Sequence, residues 1–331
     1  MPSATPPLRL SETFGIRSPR QVLGDLREIV RDGIRGRRFQ VGLSSAGLLK
    51  PRLSLPAYLG RVPADGLAPI YNLFDRTGGG TFYSQRVSRA RCRDFRGGRL
   101  AYDEHDGVDF VCPIGTPLVA AAPGVVVMIR DRWLRGGLTV GVDHGAGVVT
   151  QYTHCARSLV SIGQPVQRGE AVALSGAAGI DLVQFFPWVP PHIHFMAWHR
   201  GRPVDPFERP GESSKVPWSR RNTPSHEGTT GAEPMPAVSP VVPRELERAT
   251  RACVDPRVRR ELEALADVPA AWAATLEDAL HHQREAWEFR ETTFALRPST
   301  ETATVRLSLP LTADAYRGAR FGDTGAAARE G

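Results

Sequence analysis

Pro191-His-Ile-His-Phe-Met-Ala-Trp198 reads as a β-strand whose two faces differ in chemistry. Side chains alternate along an extended chain, so Ile193, Phe195 and Ala197 share one face while His192, His194 and Met196 share the other. The apolar face suits a core, which leaves both imidazoles on the opposite side. Neutral imidazole is a common zinc ligand, and two on one strand face are near enough to serve one site. A His-x-His strand by itself is more often ordinary surface, so its weight depends on its surroundings.

Those surroundings are short apolar, β-branched runs punctuated by glycine and proline: Val108–Val111, Val125–Ile129, Leu138–Val142, Val148–Tyr152, Ala171–Leu174 and Ile193–Trp198. Breaks fall at Pro113, Gly115, Pro123-Gly124, Gly136-Gly137, His144-Gly145, Arg168-Gly169 and Gly176. Strands at this spacing predict a compact antiparallel β domain over residues 100–210. Within it, His105-Asp-Gly-Val-Asp-Phe110 puts His105 and Asp109 on one face of an extended chain, with Val108 and Phe110 opposite. Gly107 and Pro113 argue against a helix there. Gln151-Tyr-Thr-His154 closes another run with a further imidazole. Two histidines and a carboxylate leave the fourth position of a tetrahedral zinc open for water, the pattern of a catalytic site. Zinc so held lowers the water pKa toward about 7 and polarises a carbonyl. No HExxH glutamate is present, so neighbouring histidines have to orient the water and stabilise the oxyanion.

The order H-x-x-x-D, Y-x-H and H-x-H among glycine-punctuated strands resembles the lysostaphin/LytM-type metallopeptidases, family M23. His105–Ala120 (HDGVDFVCPIGTPLVA) resembles the family's H-x-G-x-D and P-x-G-T-P signature. Gly124-Val125-Val126, Thr150–His154, Gly163-Gln-Pro-Val166 with Gly169, His192–Phe195 and Val204-Asp-Pro206 extend the likeness over about residues 100–208. The resemblance implies a mainly β catalytic domain of antiparallel sheets forming a groove, of duplicated-hybrid-motif type. It implies one Zn2+ on His105, Asp109 and His194, with His154 and His192 as the catalytic pair. It also implies hydrolysis of peptide bonds in bacterial peptidoglycan. There are two departures. The apolar stretch Ile180–Pro191, with Phe185, Phe186 and Trp188, interrupts the usual short path into H-x-H and is expected beside the active site. The second is that no secretory signal is visible in MPSATPPLRLSETFG, although peptidoglycan lies outside the membrane. By sequence the chain reads as cytoplasmic, and as envelope or extracellular if peptidoglycan is the substrate.

The remainder suggests helical additions. Ser18-Pro19-Arg20-Gln21 reads as a capping box opening a helix through Ile34. Residues 40–69 show no pattern, and Gly78–Gly80 marks a loop. Expected divisions are an N-terminal segment at 1–70, the peptidase domain at 71–210, a linker at 211–242, and a helical region at 243–331. Helices are expected from Pro243, from Asp255-Pro256 and over Ala270–Phe289, with a strand at Thr302–Leu311 and a disordered tail. The formal charge of +7 draws the protein to anionic partners, cell-wall polymer among them. The basic runs at 35–38 and 86–99 carry no nucleic-acid-binding motif and read as solvated surface. Four cysteines without CxxC spacing suggest neither a disulfide scaffold nor a Cys-rich zinc site. No run is long and apolar enough to span a membrane. Oligomeric state is not legible.

Among the other histidines, His144 reads as a turn residue, His199 faces away from His194, and His281-His282 reads as a solvated helix face. Other functions compete with a peptidoglycan peptidase: an intracellular zinc peptidase on a protein or peptide, a binding or activator protein that has lost chemistry, and a biotinyl- or lipoyl-type carrier. A carrier needs a lysine at a hairpin tip. The only lysines are Lys50 and Lys215, which excludes that reading.

Overall fold

A computed structural model describes residues 6–34, 49–72, 74, 105–133, 136–183, 185–208, 224–228, 233–253, 256–282 and 305–321. The Gly78–Gly80 loop, both basic runs, Cys92, residues 211–223, the end of the helix expected to Phe289 and residues 322–331 lie outside that set.

The N-terminal part contributes α1 (Leu10–Thr13), α2 (Pro19–Ile34), α3 (Pro51–Tyr58) and β1 (Leu67–Asn72). The central part runs β2 (Val108–Val111), β3 (Pro117–Val119), β4 (Gly124–Arg132), β5 (Gly137–Asp143), β6 (Val148–Ser158), β7 (Pro165–Val166), β8 (Ala171–Ser175), α4 (Ile180–Val183), β9 (His192–His199) and β10 (Arg202–Val204). Helices α5 (Pro243–Ala252), α6 (Pro256–Glu263) and α7 (Val268–His282) follow, then β11 (Gly318–Phe321). The described strands form one mainly antiparallel sheet in the order β11-β1-β2-β9-β6-β5-β4-β7, with β10 on β9 and β3 joined through β8 to β6.

Each strand expected between residues 108 and 198 is present. Their apolar faces meet in one core containing Phe110, Leu118, Val140, Tyr152, Ile193 and Phe195. Burying each such side chain stabilises the fold by roughly 1.5–3 kcal/mol. Tyr152 of the Y-x-H motif belongs to this core, where its hydroxyl accepts the Ala121 N–H at 2.8 Å. Helix α2 forms as its periodicity predicts, and the Ser18 hydroxyl accepts from Gln21 N–H at 3.4 Å. Helix α7 is capped by Asp267, which accepts the Ala270 N–H at 2.9 Å, with Pro269 in its first turn. Together with α5 and α6 it covers Val127, Met128, Val149, Met196 and Trp198 on the opposite face of the sheet.

Several expectations are corrected. Residues 40–69, without a recognisable pattern, hold α3 and the first half of β1. The interior Pro56 of α3 and the almost wholly buried Leu-Ala-Pro-Ile-Tyr-Asn of β1 give neither a clean 3.6 nor a clean 2.0 period. Thr302–Leu311 is not a strand over its described part. Its backbone bonds go to separate loops (Ser308 N–H to Ala121, Leu309 N–H to Ser225), with one isolated bridge at Leu311. The 243–331 region is not helical throughout. Strand β11 pairs in parallel with β1, and Leu307, Leu309, Leu311, Tyr316 and Ala319 complete the β core. The expected boundary at residue 70 likewise falls inside β1. Part of the expected linker is laid on the sheet too: Asp143 accepts from both the backbone and hydroxyl of Ser239, at 3.0 and 2.7 Å.

Candidate metal centre and flanking histidines

Strands β2 and β9 are antiparallel neighbours, and their register sets Asp109 opposite His194. His105 lies just before β2. One ligand atom from each of His105, Asp109 and His194 fits within 4.8 Å of the others, and all three residues are buried. His194 Nδ1 lies 2.8 Å from Asp109 Oδ1, and His105 Nε2 lies 3.1 Å from Asp109 Oδ2. On its other side, His194 Nε2 lies 3.1 Å from Asp106 Oδ1.

The electrostatics fit a cation between these groups. Burial pushes the Asp109 carboxyl up, but His105, His192 and His194 outweigh it and hold it well below the usual carboxylate range. Burial pulls the His194 imidazole down, yet Asp106 and Asp109 raise it to about 10. A proton bridging His194 and Asp109 satisfies both groups, and a divalent ion meets the same demand with the two imidazole nitrogens and the carboxylate as donors. Nitrogen and oxygen donors in this number suit zinc.

His154 and His192 flank this cluster, with ring centroids 4.9 Å apart in an edge-on arrangement, and His154 lies 6.1 Å from His194. His154 reaches that face only through an irregularity. Leu138 pairs with Cys155 and Val140 with Tyr152, so two steps along β5 face three along β6. Strict alternation would carry His154 into the core beside Tyr152. The bulge returns its ring to the side of His194 and puts Cys155 in the core instead. His154 has φ +68°, a left-handed conformation costly for a non-glycine residue and frequent at functional sites. Its N–H donates to Gly136 O at 2.8 Å, and a Cβ on Gly136 would meet Thr153 Cγ2 at 1.7 Å. Only glycine lets the Gly136 backbone come that close. The bulge also marks a fork, since β6 pairs with β9 as far as Thr153 and with β8 from Cys155 onward.

The apolar insertion spans this fork, from the end of β8 to the start of β9. Its two flanks supply the second support of the histidine pair. His154 Nδ1 lies 2.7 Å from Ala178 O, and His192 Nδ1 lies 2.7 Å from Pro190 O. A carbonyl only accepts, so both Nδ1 atoms carry hydrogen and both Nε2 atoms are acceptors, that of His192 lying 3.7 Å from Asp109 Oδ1. Burial, then the neighbouring His192 and His194, push His154 down to about 3. Burial also lowers His192, against the pull of Asp109. Both rings are therefore neutral near pH 7.

The insertion is anchored in turn by the N-terminal segment. Lys50 N–H donates to Trp188 O at 2.9 Å, and the buried Ser54 hydroxyl donates to Pro187 O. Ala177 N–H donates to Thr13 O at 2.8 Å. Phe186 packs edge-on against Phe14 and Tyr58.

All five residues singled out by the sequence thus come together on one sheet face. His144 lies elsewhere, buried between Pro123 O (2.8 Å) and Thr150 Oγ1 (2.7 Å), and burial lowers its pKa to about 4. Glu277 of α7 pairs with Arg130 at 2.9 Å, while the side chains of His281 and His282 lie outside the described set. Sequence reading missed Asp106 and the Ala178 and Pro190 carbonyls. Alternation points Asp106 away from its neighbour His105, and a backbone carbonyl carries no residue-type signal.

Residues 103–206 match Peptidase family M23, a metallopeptidase family. The chain is 41% identical over 101 residues to Peptidoglycan DD-endopeptidase ShyA of Vibrio cholerae serotype O1, covering 30% of this chain and 22% of that protein. It is 36% identical over 103 residues to the Lipoprotein NlpD/LppB homolog of Pseudomonas aeruginosa, covering 31% of this chain and 32% of that protein. It therefore spans less than a third of the length of these two relatives. Among solved structures, the catalytic domain of lysostaphin from Staphylococcus simulans is 30% identical, covering 29% of this chain and 67% of that one, with a TM-score of 0.25. A zinc-containing peptidase from Vibrio cholerae is also 30% identical, covering 40% and 39%, with a TM-score of 0.28. At such TM-scores the fold stands on the strand order and register given above.

Proposed function

We propose that this M23 domain is a zinc metalloendopeptidase that hydrolyses peptide bonds in bacterial peptidoglycan. The observation that carries the reading is the pairing of a buried His105–Asp109–His194 cluster with two neutral histidines, each held at Nδ1 by a backbone carbonyl. The DD-endopeptidase name of the Vibrio relative supports the substrate class.

His105, Asp109 and His194 would hold the metal through two imidazole nitrogens and one carboxylate. Zinc bound there supplies a Lewis acid and a water acidified toward a pKa of about 7. The chain's own residues handle the proton. His154 and His192 are held in one tautomer by Ala178 and Pro190, so each presents Nε2 as an acceptor. A neutral imidazole takes a proton from the attacking water. Once protonated it donates to the developing oxyanion or to the leaving amine. The formal charge of +7 favours an anionic wall polymer, and an envelope location goes with that substrate. The lipoprotein name of one relative supports that location.

The test is release of new amino groups from purified peptidoglycan, with and without a zinc chelator. Chelator-sensitive release is expected. No release from the zinc-loaded protein overturns the peptidoglycan reading and moves it to a protein or peptide substrate, or to a binding module.

A further inference from the structure

Asp106 is the residue of the His105–Asp109 segment to which nothing so far gives a role, and it is buried. Its Oδ1 lies 3.1 Å from His194 Nε2, while Asp109 Oδ1 lies 2.8 Å from Nδ1 of the same ring. The two nitrogens of an imidazole point to opposite sides, so an ion held at Nδ1 beside Asp109 lies out of reach of Asp106. We propose that Asp106 is a positioning residue for the metal centre. Its carboxylate accepts the Nε2–H of His194, fixes the ring in the tautomer whose Nδ1 lone pair faces Asp109, and makes that nitrogen a stronger donor. The inference rests on the zinc reading above.

The local chain is built to allow this contact. Gly107 follows Asp106, and a Cβ there would meet Phe195 O at 2.6 Å, His194 Cε1 at 2.9 Å and Met196 Cγ at 3.0 Å. Glycine therefore lets the 106–107 backbone lie against the His194 ring and strand β9. That close approach carries the Asp106 carboxylate round to the Nε2 edge, although alternation from His105 points it elsewhere. Asp109 opposite His194 in the β2–β9 register then closes the ring between two carboxylates. A carboxylate on the far nitrogen of a metal-binding histidine fixes the ring's orientation and raises its basicity. Removing such a partner typically costs about 10- to 100-fold in metal affinity.

The two carboxylates thus have separate tasks. Asp109 is a ligand, and its removal deletes a donor from the site. Asp106 acts through His194, and its removal leaves three donors but frees the ring to take the wrong tautomer or to rotate. Asn at position 106 keeps a carbonyl oxygen that accepts the Nε2–H, without the negative charge.

The experiment is zinc affinity of the full chain by competition with a chromophoric chelator, for the unchanged protein, Asp106→Ala and Asp106→Asn, with circular dichroism of each metal-free form. The expected result is affinity about 10- to 100-fold weaker for Asp106→Ala, an intermediate value for Asp106→Asn, and superimposable metal-free spectra. Hydrolysis by Asp106→Ala recovers as zinc is raised, which a general loss of structure does not allow. Unchanged zinc affinity in Asp106→Ala overturns the role of Asp106 and leaves the zinc reading standing. If a disturbed spectrum complicates Asp106→Ala, the near-isosteric Asp106→Leu, which offers His194 no acceptor, decides in its place: affinity equal to the unchanged protein overturns the proposal. Absence of zinc binding by the unchanged protein removes both.

Discussion

The cluster formed by His105, Asp109 and His194 and the pair formed by His154 and His192 share one face of the sheet but are held there by different kinds of structure. Asp109 and His194 face each other because β2 and β9 pair in register, so ordinary ladder geometry brings them together. The histidine pair depends partly on departures from that geometry, because His192 sits in the same ladder and His154 does not. His154 needs a bulge and a left-handed φ, and both rings lean on carbonyls at the two flanks of the insertion. The cluster is therefore as firm as the sheet itself. The pair is as firm as the segments that brace the insertion. Proposed metal binding and proposed proton transfer can accordingly be damaged separately.

Removing a ligand tests the first half and carries the largest effect. His105→Ala or Asp109→Ala is expected to lose both bound zinc, read by metal analysis, and hydrolysis. Hydrolysis retained by zinc-free variants sinks the mechanism. The second effect separates the halves. His154→Ala is expected to keep zinc and lose turnover by about 10²- to 10⁴-fold. If zinc leaves with it, the two sites are not independent.

A third, smaller effect reaches the pair from the far side of the insertion. Ser54→Ala removes a hydroxyl that donates to Pro187 O, without touching any of the five site residues. Misplacing a reacting group by about 1 Å can cost up to about 10²-fold. Turnover should fall by less than that, with zinc affinity unchanged and Ser54→Thr recovering part of the loss. A fall in thermal stability alone, with kcat intact, would show that the brace serves folding only.

The smallest effect concerns stability against pH. The folded pKa of His154, about 3, lies below the value near 6.5 of an unfolded histidine. Protons thus bind the unfolded chain first. The stability from this buried neutral ring is complete above about pH 6.5 and is lost as pH falls toward 3, at about 1.4 kcal/mol per unit. His144, at about 4, acts in the same direction. Asp109 is lowered from the ordinary carboxylate range, so its contribution is lost only below about pH 4. Thermal denaturation from pH 7 to 4 should show a falling midpoint that His154→Gln makes shallower. A flat profile would mean the ring is not buried neutral.

The same division governs what the sequence disclosed. The alternating runs between Val108 and Trp198 announced their strands, and period two put the histidines of H-x-H on one face and His105 with Asp109 on another. The choice of His194 over His192 as ligand came from the family resemblance. His154 was found by motif likeness, since alternation from Tyr152 points it into the core. Asp106 and the carbonyls of Ala178 and Pro190 gave no such signal. Their contacts depend on a glycine pressed against a ring and on loop paths set by distant segments. Strands β1 and β11 were missed for a related reason. β1 is buried on both faces, β11 is four residues long, and each is defined by its partner rather than by its own pattern.

Synthesis proceeds from the N-terminus, so the place of Leu307–Ala319 in the core sets an order of events. Once the ribosome has added Val204, every residue of the proposed site exists, and the strands from β2 to β10 can begin to pair. Leu118 and Phe110 still lack Leu309, Leu311 and Tyr316, and β1 has no partner on its outer edge. At about 5–20 residues per second the missing pieces arrive on the order of ten seconds later. During that interval the nascent protein holds its proposed ligands and histidines on an unfinished scaffold, so completion of the proposed site waits on residues that touch none of its chemistry.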